Sequence, residues 1–460
     1  MAKHNIEHWE VENPAFWTES GKGIAARNLV FSIFAEFLAF SVWQVWSAVS
    51  VKIPDIGFQF TDNQLFWLAA IPGLAGATLR IPYAFMVSIC GGRNWTLVST
   101  ALLLFPAIGI GLAIQDQTTP YTTFAFLALL CGFGGGNFAS SMANINFFFP
   151  KRLKGFALGF NAAGGNIGVS LVQLVVPFVI TVGIFGALGG SSQIMRVGNI
   201  EEQVWLQNAA FIWVPLILIS LVTTWFFMNN LHVARSSLRQ QLAMFNDKHA
   251  WIMSILYLGT FGSFIGYSAG LPLLIKSQFP GVDPLRYAFL GPLVGSLIRP
   301  VGGIVADKIG GARVTFWNFV AMIAAVLGVI HFLGMKTEPH AFMGFFVMFM
   351  ILFICAGIGN GSTYRMIPII YITENCLLAD NGQQTHAQAI NNANKQSGSV
   401  VGITSAFAAY GAFFIPKGYG TSIRLTGEPQ AALWGFIGFY VICVALTWRY
   451  YYRQKGRMQC

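Results

Sequence analysis

Two arginines lie inside long apolar stretches of this chain, each at the same distance from a pair of glycines. Arg80 falls in "LRIPYAFMVSICGGR" and Arg299 in "IRPVGGIVADKIGGAR", and the glycine pairs begin at 91 and 310. If each stretch is a membrane helix that ends near the glycines, a rise of about 1.5 Å per residue places each arginine roughly 16 Å deep, near the middle of the hydrocarbon core. A snorkelling arginine normally lies closer to a helix end, so both charges are expected to face a partner or a wet cavity.

Acidic side chains cannot supply that partner for both arginines. The 17 acidic residues fall almost entirely in termini, loops and interfacial turns, and Glu36 in "FSIFAEFLAFSVW" is the clear exception. One carboxylate cannot neutralise two guanidinium groups, so the missing countercharge is most simply a bound anion. Two guanidinium forks suit a small planar oxyanion, because each fork meets two oxygens at once. A third arginine, Arg365, lies late in its apolar stretch and is expected to snorkel.

Neutral donors and aromatic rings are expected around such an anion. One apolar stretch supplies Asn161, Asn166 and Gln173, and another supplies Tyr257 and Phe261. For Asn161 and Gln173, a hydrogen bond between packed helices explains the residue equally well. Most of the 50 glycines are expected to allow close helix packing, and some would also let the backbone approach a very small substrate.

The elements that carry these residues are predicted to be membrane helices. The chain has 460 residues, of which 55% are hydrophobic and 10% charged, well below the charged fraction of a soluble domain. Twelve apolar runs are each long enough, at about 20 residues, to cross a membrane as a helix. We predict an all-α integral membrane protein with spans near 29–50, 64–90, 95–114, 120–148, 154–185, 207–228, 250–275, 285–306, 313–333, 341–371, 394–415 and 431–452.

The basic residues are distributed unevenly between the loops, which predicts the orientation of the chain. Arg80, Arg299 and Arg365 lie within spans. The basic residues of the loops on the side opposite the N-terminus are Lys52, Arg196, Lys276, Arg286, Lys336, Lys417 and Arg424. The remaining basic residues, which are the majority, fall on the same side as the N-terminus. Because Lys and Arg favour the cytoplasmic side, both termini are expected inside. The formal charge of +10 then reflects topology, and we expect no nucleic-acid partner.

The two halves of the chain repeat one pattern. Besides the arginine and Gly-Gly spacing, "GFGGGNFASS" from Gly132 has a counterpart in "GIGNGSTYR" from Gly357. Many transporters are built from repeated halves with the substrate site between them. We predict two pseudo-symmetric six-helix bundles at 29–228 and 250–452, joined by a cytoplasmic linker at 229–249. Residues 1–28 would form a cytoplasmic N-terminal segment, without a removable signal peptide, and 453–460 a cytoplasmic tail.

Other classes of protein fit the sequence less well. No cofactor motif is present, the seven histidines lie in termini, loops or helix ends, and the six cysteines show no paired spacing. We therefore expect no enzyme activity, cofactor, metal site or disulfide. A passive anion channel would not need a repeat of two gated halves, and a sensor would carry a soluble signalling domain. We expect a monomer in the lipid bilayer.

Several longer motifs resemble those of a known family. "GGIVADKIGGAR" (302–313) resembles the cytoplasmic loop motif of the major facilitator superfamily. "LRIPYAFM" (79–86), "NFASSMANINFFFP" (137–150) and "TFGSFIGYSAG" (260–270) extend the resemblance over nearly the whole chain to the bacterial nitrate/nitrite porter family. The glycine-rich signatures of that family resemble "AGGNIG" (163–168) and, less closely, "SGSVVGITSA" (397–406). The resemblance implies two six-helix bundles that rock about a central site and give alternating access.

The resemblance also implies roles for particular residues, carried over by position. Arg80 and Arg299 would clamp the anion, Asn166 and Tyr257 would donate hydrogen bonds to it, Phe138 and Phe261 would sandwich it, and Gly402 would leave room for it. Asp307, Lys308 and Arg313 would form the charge cluster that latches one conformation. Two positions depart from some relatives, since Glu36 stands where they are apolar and Arg365 where they carry glutamine.

Two modes of coupling are open at this stage. With two arginines in an empty site, the rocking step would desolvate both charges without compensation, which favours strict exchange of nitrate for nitrite. Glu36 favours the alternative, nitrate/proton symport, because a nearby anion could change the protonation of a carboxyl group in a membrane cavity. A structural role for Glu36, as a partner of one arginine or of a neighbouring helix, favours exchange by a small margin.

Overall fold

The computed structural model describes residues 4–197, 200–232 and 246–453. Within these ranges, twelve helical spans are long and apolar enough to cross a membrane, as the sequence predicts. Spans 1 to 12 are Pro14–Ile56, Asp62–Cys90, Gly92–Ala113, Tyr121–Phe148, Lys151–Val179, Asn208–Phe227, Lys248–Gln278, Pro284–Ile309, Gly311–Gly334, Ala341–Asp380, His386–Thr426 and Gln430–Tyr452. Five of the basic residues that the sequence analysis places in cytoplasmic loops and termini lie outside the described residues: Lys3, Arg235, Arg239, Lys455 and Arg457.

Several spans consist of more than one helix. Span 1 contains Lys22–Trp43 and Trp46–Lys52, span 3 contains Gly92–Leu102 and Leu104–Ala113, and span 11 contains His386–Ala409 and Gly411–Thr426. In span 7, a π-helical turn at Leu258–Gly262 separates Lys248–Tyr257 from Ser263–Gln278. Such π-turns are frequent at functional sites, and this one directly follows Tyr257.

Four spans differ from their predicted bounds by about six residues or more at one end or both. Span 1 begins at Pro14 and not at 29, span 5 ends at Val179 and not at 185, and span 10 continues to Asp380. Span 11 covers His386–Thr426, well beyond the predicted 394–415. For spans 1, 10 and 11 the predicted ends were wrong because apolar composition marks the lipid-spanning part, whereas a helix continues through polar residues that are capped. Thr385, for example, starts span 11 with a reciprocal capping box to Gln388.

Four short strands, which the sequence pattern does not predict, accompany the helices. Gln193–Val197 and Ile200–Val204 form an antiparallel hairpin between spans 5 and 6. Asn5–Ile6 pairs in parallel with Asn230–Leu231, which lies within the predicted linker. The second pair ties the start of the chain to the end of span 6.

The N-terminal segment is folded onto the helices that follow it. Trp9 donates from its indole Nε1 to the carbonyl of Phe147 (3.0 Å), and Trp9 and Trp17 belong to a buried apolar cluster with Phe148 and Phe149. The carboxylate of Glu12 accepts from the backbone N–H of Lys151 (3.0 Å), at the start of span 5. A segment that looks polar by composition therefore contributes to a hydrophobic core.

The chain divides into two compact units by its internal contacts. Unit 1 comprises Met1–Arg235, Ser268–Leu293 and Ala412–Gly420, and unit 2 comprises Ser236–Tyr267, Val294–Gly411 and Thr421–Cys460. Spans 7, 8 and 11 each contribute to both units. The predicted domain boundaries at 228 and 250 stay a prediction.

In unit 1, glycines bring spans 2 and 4 into close contact. A Cβ atom on Gly76 would lie 2.9 Å from the Cα of Gly135 and 2.6 Å from the indole nitrogen of Trp43. That nitrogen donates to the carbonyl of Pro72 (2.7 Å). The run "GFGGG" is therefore required for packing, and it places a backbone carbonyl of span 4 beside the arginine of span 2.

Unit 2 contains the corresponding contact between spans 8 and 10. A Cβ atom on Gly361 would lie 2.3 Å from the carbonyl oxygen of Arg299, and one on Gly357 would lie 2.4 Å from that of Gly295. In both units, the glycine-rich span thus packs against the span that carries the central arginine. This explains in physical terms why arginine and glycine patterns recur together in the two halves of the sequence.

Candidate functional site

Arg80 is fully buried within unit 1, where aromatic rings and a backbone carbonyl surround it. Its Nε donates to the carbonyl oxygen of Gly135 (3.0 Å). The guanidinium carbon lies 4.6 Å from the ring centroid of Phe138 and 5.5 Å from that of Trp43. Cation–π contact and a carbonyl acceptor orient a guanidinium without removing its charge. The structure therefore brings Arg80 and Phe138 together, as predicted for two residues of one anion site.

Arg299 has a comparable environment within unit 2. Its Nη2 donates to the hydroxyl of Tyr257 (3.2 Å), and its guanidinium carbon lies 5.7 Å from the ring centroid of Tyr364. Its Nη1 is buried and has no hydrogen-bond partner among the described residues. Tyr257 stacks on Phe261 with 5.5 Å between ring centroids, which brings three predicted site residues of unit 2 together. The phenol oxygen of Tyr257 thus accepts from the arginine, and its role as a donor to an anion stays a prediction.

Tyr364 and Trp43 are neighbours of the arginines that sequence reasoning missed. The Tyr364 ring lies 6.2 Å from that of Tyr257 and faces Arg299, whereas Trp43 faces Arg80 from span 1. The chain contains 42 Phe, 13 Trp and 13 Tyr, so an aromatic residue in an apolar run carries little information. The one available signal for Tyr364 is its place in "GIGNGSTYR", directly after the glycines that pack against span 8.

Asn166 and Gly402 lie in different units, and each has a feature that fits a small ligand. Asn166 is almost fully buried, and neither its Oδ1 nor its Nδ2 has a hydrogen-bond partner among the described residues. Buried amide groups normally find partners, so this one is available to a ligand. A Cβ atom on Gly402 would meet nothing within 4 Å, so helix packing does not require this glycine.

Glu36 is the buried acidic residue beside Arg80. It is 1% exposed, and the hydroxyl of Ser141 is a hydrogen-bond partner of its carboxylate. Arg80 lies within range of a direct electrostatic interaction with it. Glu36 also fills the space above a glycine of "AGGNIG", because a Cβ atom on Gly165 would lie 2.5 Å from its Cγ. The carboxyl group therefore belongs to the surroundings of the unit 1 arginine.

Asn161 and Gln173, which the sequence could assign either to the anion site or to helix packing, connect neighbouring helices. Asn161 donates to the hydroxyl of Ser141 (2.6 Å), which joins spans 5 and 4. Gln173 donates to the hydroxyl of Ser47 (3.0 Å) and to the carbonyl of Ser268 (2.8 Å). These are the interhelical hydrogen bonds expected from the packing explanation.

The charged cluster at 307–313 has a partner that the sequence did not identify. Asp307 forms an ion pair with Arg365, and both side chains are about half exposed. Arg365 therefore extends from span 10 to an acidic group at the end of span 8. Lys308 lies in the last turn of span 8 and Arg313 in the first turn of span 9, and neither makes an ion pair that the described residues show. The function of the three residues as a latch stays a prediction.

Arg80, Phe138, Asn166 and Glu36 belong to unit 1, whereas Arg299, Tyr257, Phe261 and Gly402 belong to unit 2. A single site that contains both arginines is therefore a prediction. Within the described residues, no group of three or more His, Cys, Asp and Glu side chains is arranged to hold a metal ion.

Comparison with known proteins relates this chain to membrane transporters. Residues 29–416 match the family described as the Major Facilitator Superfamily. The chain is 46% identical over 459 residues to "Nitrate/nitrite transporter NarU" of Escherichia coli (strain K12), covering 99% of this chain and 97% of that protein. It is 40% identical over 460 residues to "Probable nitrate/nitrite antiporter NarK2" of Thermus thermophilus, covering 99% and 98%.

Solved structures of distant transporters have the same fold. A bacterial homologue of the human lysosomal transporter Spinster, in an inward-facing and occupied conformation, superposes with a TM-score of 0.62. The sequences are 16% identical, and the match covers 91% of this chain and 95% of that one. A single-residue mutant of the nucleoside transporter NupG superposes with a TM-score of 0.58 at 12% identity, covering 91% and 98%. At these identities the likeness is one of fold alone.

Proposed function

Because this chain belongs to the nitrate/nitrite porter family of the major facilitator superfamily, we propose that it carries nitrate into the cell in exchange for nitrite. It is a multi-pass membrane transporter and not an enzyme. We further propose that it lies as a monomer in the bacterial inner membrane with both termini in the cytoplasm. The names of the relatives at 46% and 40% identity support the substrates, and the excess of basic residues on the N-terminal side supports the orientation.

The observation that carries this proposal is the matched environment of the two arginines. Each is buried, each belongs to the span that packs on a glycine-rich helix, and each donates a hydrogen bond to an uncharged group. A carbonyl, a phenol hydroxyl and aromatic faces fix the two guanidinium groups but leave positive charge for a ligand. A small planar oxyanion such as nitrate or nitrite can accept bidentate hydrogen bonds from such a group.

Residues near the arginines would complete the recognition of the anion. The Tyr257 hydroxyl and the Asn166 amide supply uncharged donors, and Phe138 and Phe261 supply ring faces on either side. Gly402 leaves open space at its Cβ position. In this arrangement nitrate and nitrite bind at the same groups, so one site would serve both directions of exchange.

Exchange follows from the cost of an empty site. If both arginines face one central cavity, its closure without an anion would bring two like charges out of water with no compensation. A bound anion removes much of that cost, so the loaded protein would change conformation faster than the empty one. Alternating access by loaded forms alone gives one-for-one exchange.

Conservative substitution of the arginines tests the site. In Arg80→Lys or Arg299→Lys a point charge replaces the fork, and we expect nitrate uptake into nitrite-loaded liposomes to fall at least about tenfold. Arg196→Lys is the matched control, since Arg196 lies in the exposed hairpin and pairs with Glu201 (2.9 Å). Thermal unfolding in detergent verifies that each variant is folded. Normal uptake by either folded central variant would contradict the two-arginine site.

A second candidate function, nitrate/proton symport, is favoured by one observation. Glu36 is buried, Ser141 is its hydrogen-bond partner, and its carboxyl group lies within electrostatic range of Arg80. A carboxyl group so placed can exchange a proton when an anion arrives at the arginine. Glu36 would then be the proton-coupling group.

One experiment separates exchange from symport. Purified protein is placed in liposomes that are either empty or loaded with nitrite, and nitrate uptake is measured with and without an inward proton gradient. Exchange predicts uptake in loaded vesicles alone, with little effect of the gradient. Uptake into empty vesicles that follows the gradient and is lost in Glu36→Gln would establish symport and refute strict exchange.

A further inference from the structure

Two reciprocal ion pairs connect the end of span 1 with the end of span 7 and the start of span 8. Lys52 pairs with Asp283 (3.3 Å), and Lys276 pairs with Asp55 (2.6 Å). Each side of the contact thus contributes one base and one acid. We call these four residues the outer ion pairs, because the proposed orientation places them on the outer side of the membrane.

The outer ion pairs are better protected from water than surface ion pairs. The exposed fractions of the four side chains are 11% for Lys52, 32% for Asp283, 29% for Lys276 and 19% for Asp55. The exposed pair Arg196–Glu201, by contrast, has fractions of 72% and 60%. The ammonium of Lys276 also donates to the backbone carbonyl of Val51. Partial burial makes the outer ion pairs less screened by water and salt than an ordinary surface pair.

The loop that carries Asp55 is itself held in place. The amide of Gln117 donates to the carbonyl of Ile56 (2.8 Å), and Gly57 ends the turn with a φ of 110°. A left-handed φ of this size favours glycine, so the turn after Asp55 has a defined shape. The acidic side chain is therefore presented to Lys276 from a fixed position.

Other tight contacts of unit 1 join the same two halves of the chain as the outer ion pairs. A Cβ atom on Gly73 in span 2 would lie 2.4 Å from the backbone carbon of Ala412 in span 11. The ammonium of Lys417 lies 4.5 Å from the ring of Trp67, and Ser170 in span 5 donates to the carbonyl of Phe289 (2.8 Å). Spans 1, 2 and 5 of the first half thus pack directly on spans 7, 8 and 11 of the second half. These contacts hold the spans of unit 1 closely together.

We propose that the outer ion pairs are an electrostatic latch that holds the outer ends of these spans together and must break each time the transporter opens to the outside. Breaking the two pairs exposes four charges to water, so the cost of opening is moderate and reversible. The latch therefore sets the balance between the outward-open form and the form described here. It does so without contact to the transported anion, and it holds for either mode of coupling.

The test measures how fast a buried position on the outer side becomes accessible. Ser170→Cys places a thiol of nearly the same size at a buried position beside Phe289, and a membrane-impermeant maleimide is added from outside. In this background, Asp55→Asn removes the pair with Lys276, whereas Asp283→Asn removes the pair with Lys52 and a longer one with Arg286 (3.9 Å). We expect labelling to accelerate about threefold or more in each, and further in the double variant. Raising the salt concentration should accelerate labelling of the parent and have less effect on the double variant.

Two controls separate a latch from a general loss of stability. Glu201→Gln removes the exposed pair in the hairpin and should leave the labelling rate unchanged. Exchanging the charges of one pair, with Lys52→Asp and Asp283→Lys together, should return the rate toward that of the parent, whereas Lys52→Asp alone should raise it.

Unchanged labelling in folded Asp55→Asn and Asp283→Asn proteins would overturn the proposal, as would equal acceleration by Glu201→Gln. A lowered unfolding temperature with unchanged labelling would likewise show that the pairs only stabilise the fold. The result is independent of the anion site, because labelling is measured without substrate. Failure of the two-arginine site would therefore leave this test unaffected.

Discussion

The hydroxyl of Tyr257 offers a direct test of the proposed anion recognition in unit 2. It accepts from Nη2 of Arg299 at 3.2 Å, so its proton can point at a bound anion, and the residue is 1% exposed. Tyr257→Phe removes one hydrogen bond to a charged donor and one to the anion while keeping the ring that stacks on Phe261. A hydrogen bond that involves a charged group contributes about 1.5–3 kcal/mol, so nitrate affinity should fall by roughly 10- to 150-fold.

The assay for Tyr257→Phe is titration of purified protein with nitrate, followed by calorimetry or by the shift in unfolding temperature. Tyr364→Phe is the matched control, because it keeps the ring that faces the Arg299 guanidinium and changes only a hydroxyl that is not assigned to the anion. We expect that variant to bind nitrate within about twofold of the parent. Equal affinity of folded Tyr257→Phe and parent protein would refute the role of the phenol as a donor.

Two further predictions concern the packing that positions the arginines. Gly76→Ala places a methyl group 2.6 Å from the indole nitrogen of Trp43, so the free energy of unfolding should fall by about 1–3 kcal/mol. Gly159→Ala is the control, because a methyl group there meets nothing within 4 Å and should be neutral or stabilising. An equal effect of the two substitutions in thermal unfolding would contradict the packing role of Gly76. Trp9→Ala removes a buried indole and its hydrogen bond to Phe147, and we expect the free energy of unfolding to fall by about 3 kcal/mol. If the variant unfolded at the same temperature as the parent, the N-terminal segment would contribute nothing to the core.

The membrane spans could be predicted from the sequence because one physical constraint dominates them. A helix that crosses hydrocarbon needs about 20 apolar residues, and twelve such runs were visible. The relation between arginine and glycine was also visible, since the same spacing recurs in both halves. The structure adds the reason, which is close backbone contact at Gly76 and Gly135 in one unit and at Gly357 and Gly295 in the other.

Contacts that depend on distant parts of the chain could not be predicted in the same way. Lys52 and Asp283 are separated by 231 positions, and nothing local to either residue indicates the other. Trp9 lies in a segment whose polar composition conceals its buried contacts with Phe147 and Phe148. Such pairings depend on how the spans pack, whereas composition reports only how each residue partitions between water and lipid.

The partners of the two arginines connect the fold with the proposed transport. An ion pair would hold a buried guanidinium firmly but would also cancel the charge that attracts an anion. The carbonyl of Gly135 and the ring of Phe138 position Arg80, and the Tyr257 hydroxyl positions Arg299, without adding a countercharge. Glu36 is the exception, because its carboxyl group lies within electrostatic range of Arg80. While that group is ionised, it weakens the attraction of Arg80 for an anion, and its protonation restores that attraction. In the symport alternative, the arrival of an anion at Arg80 would therefore be linked to the protonation of Glu36.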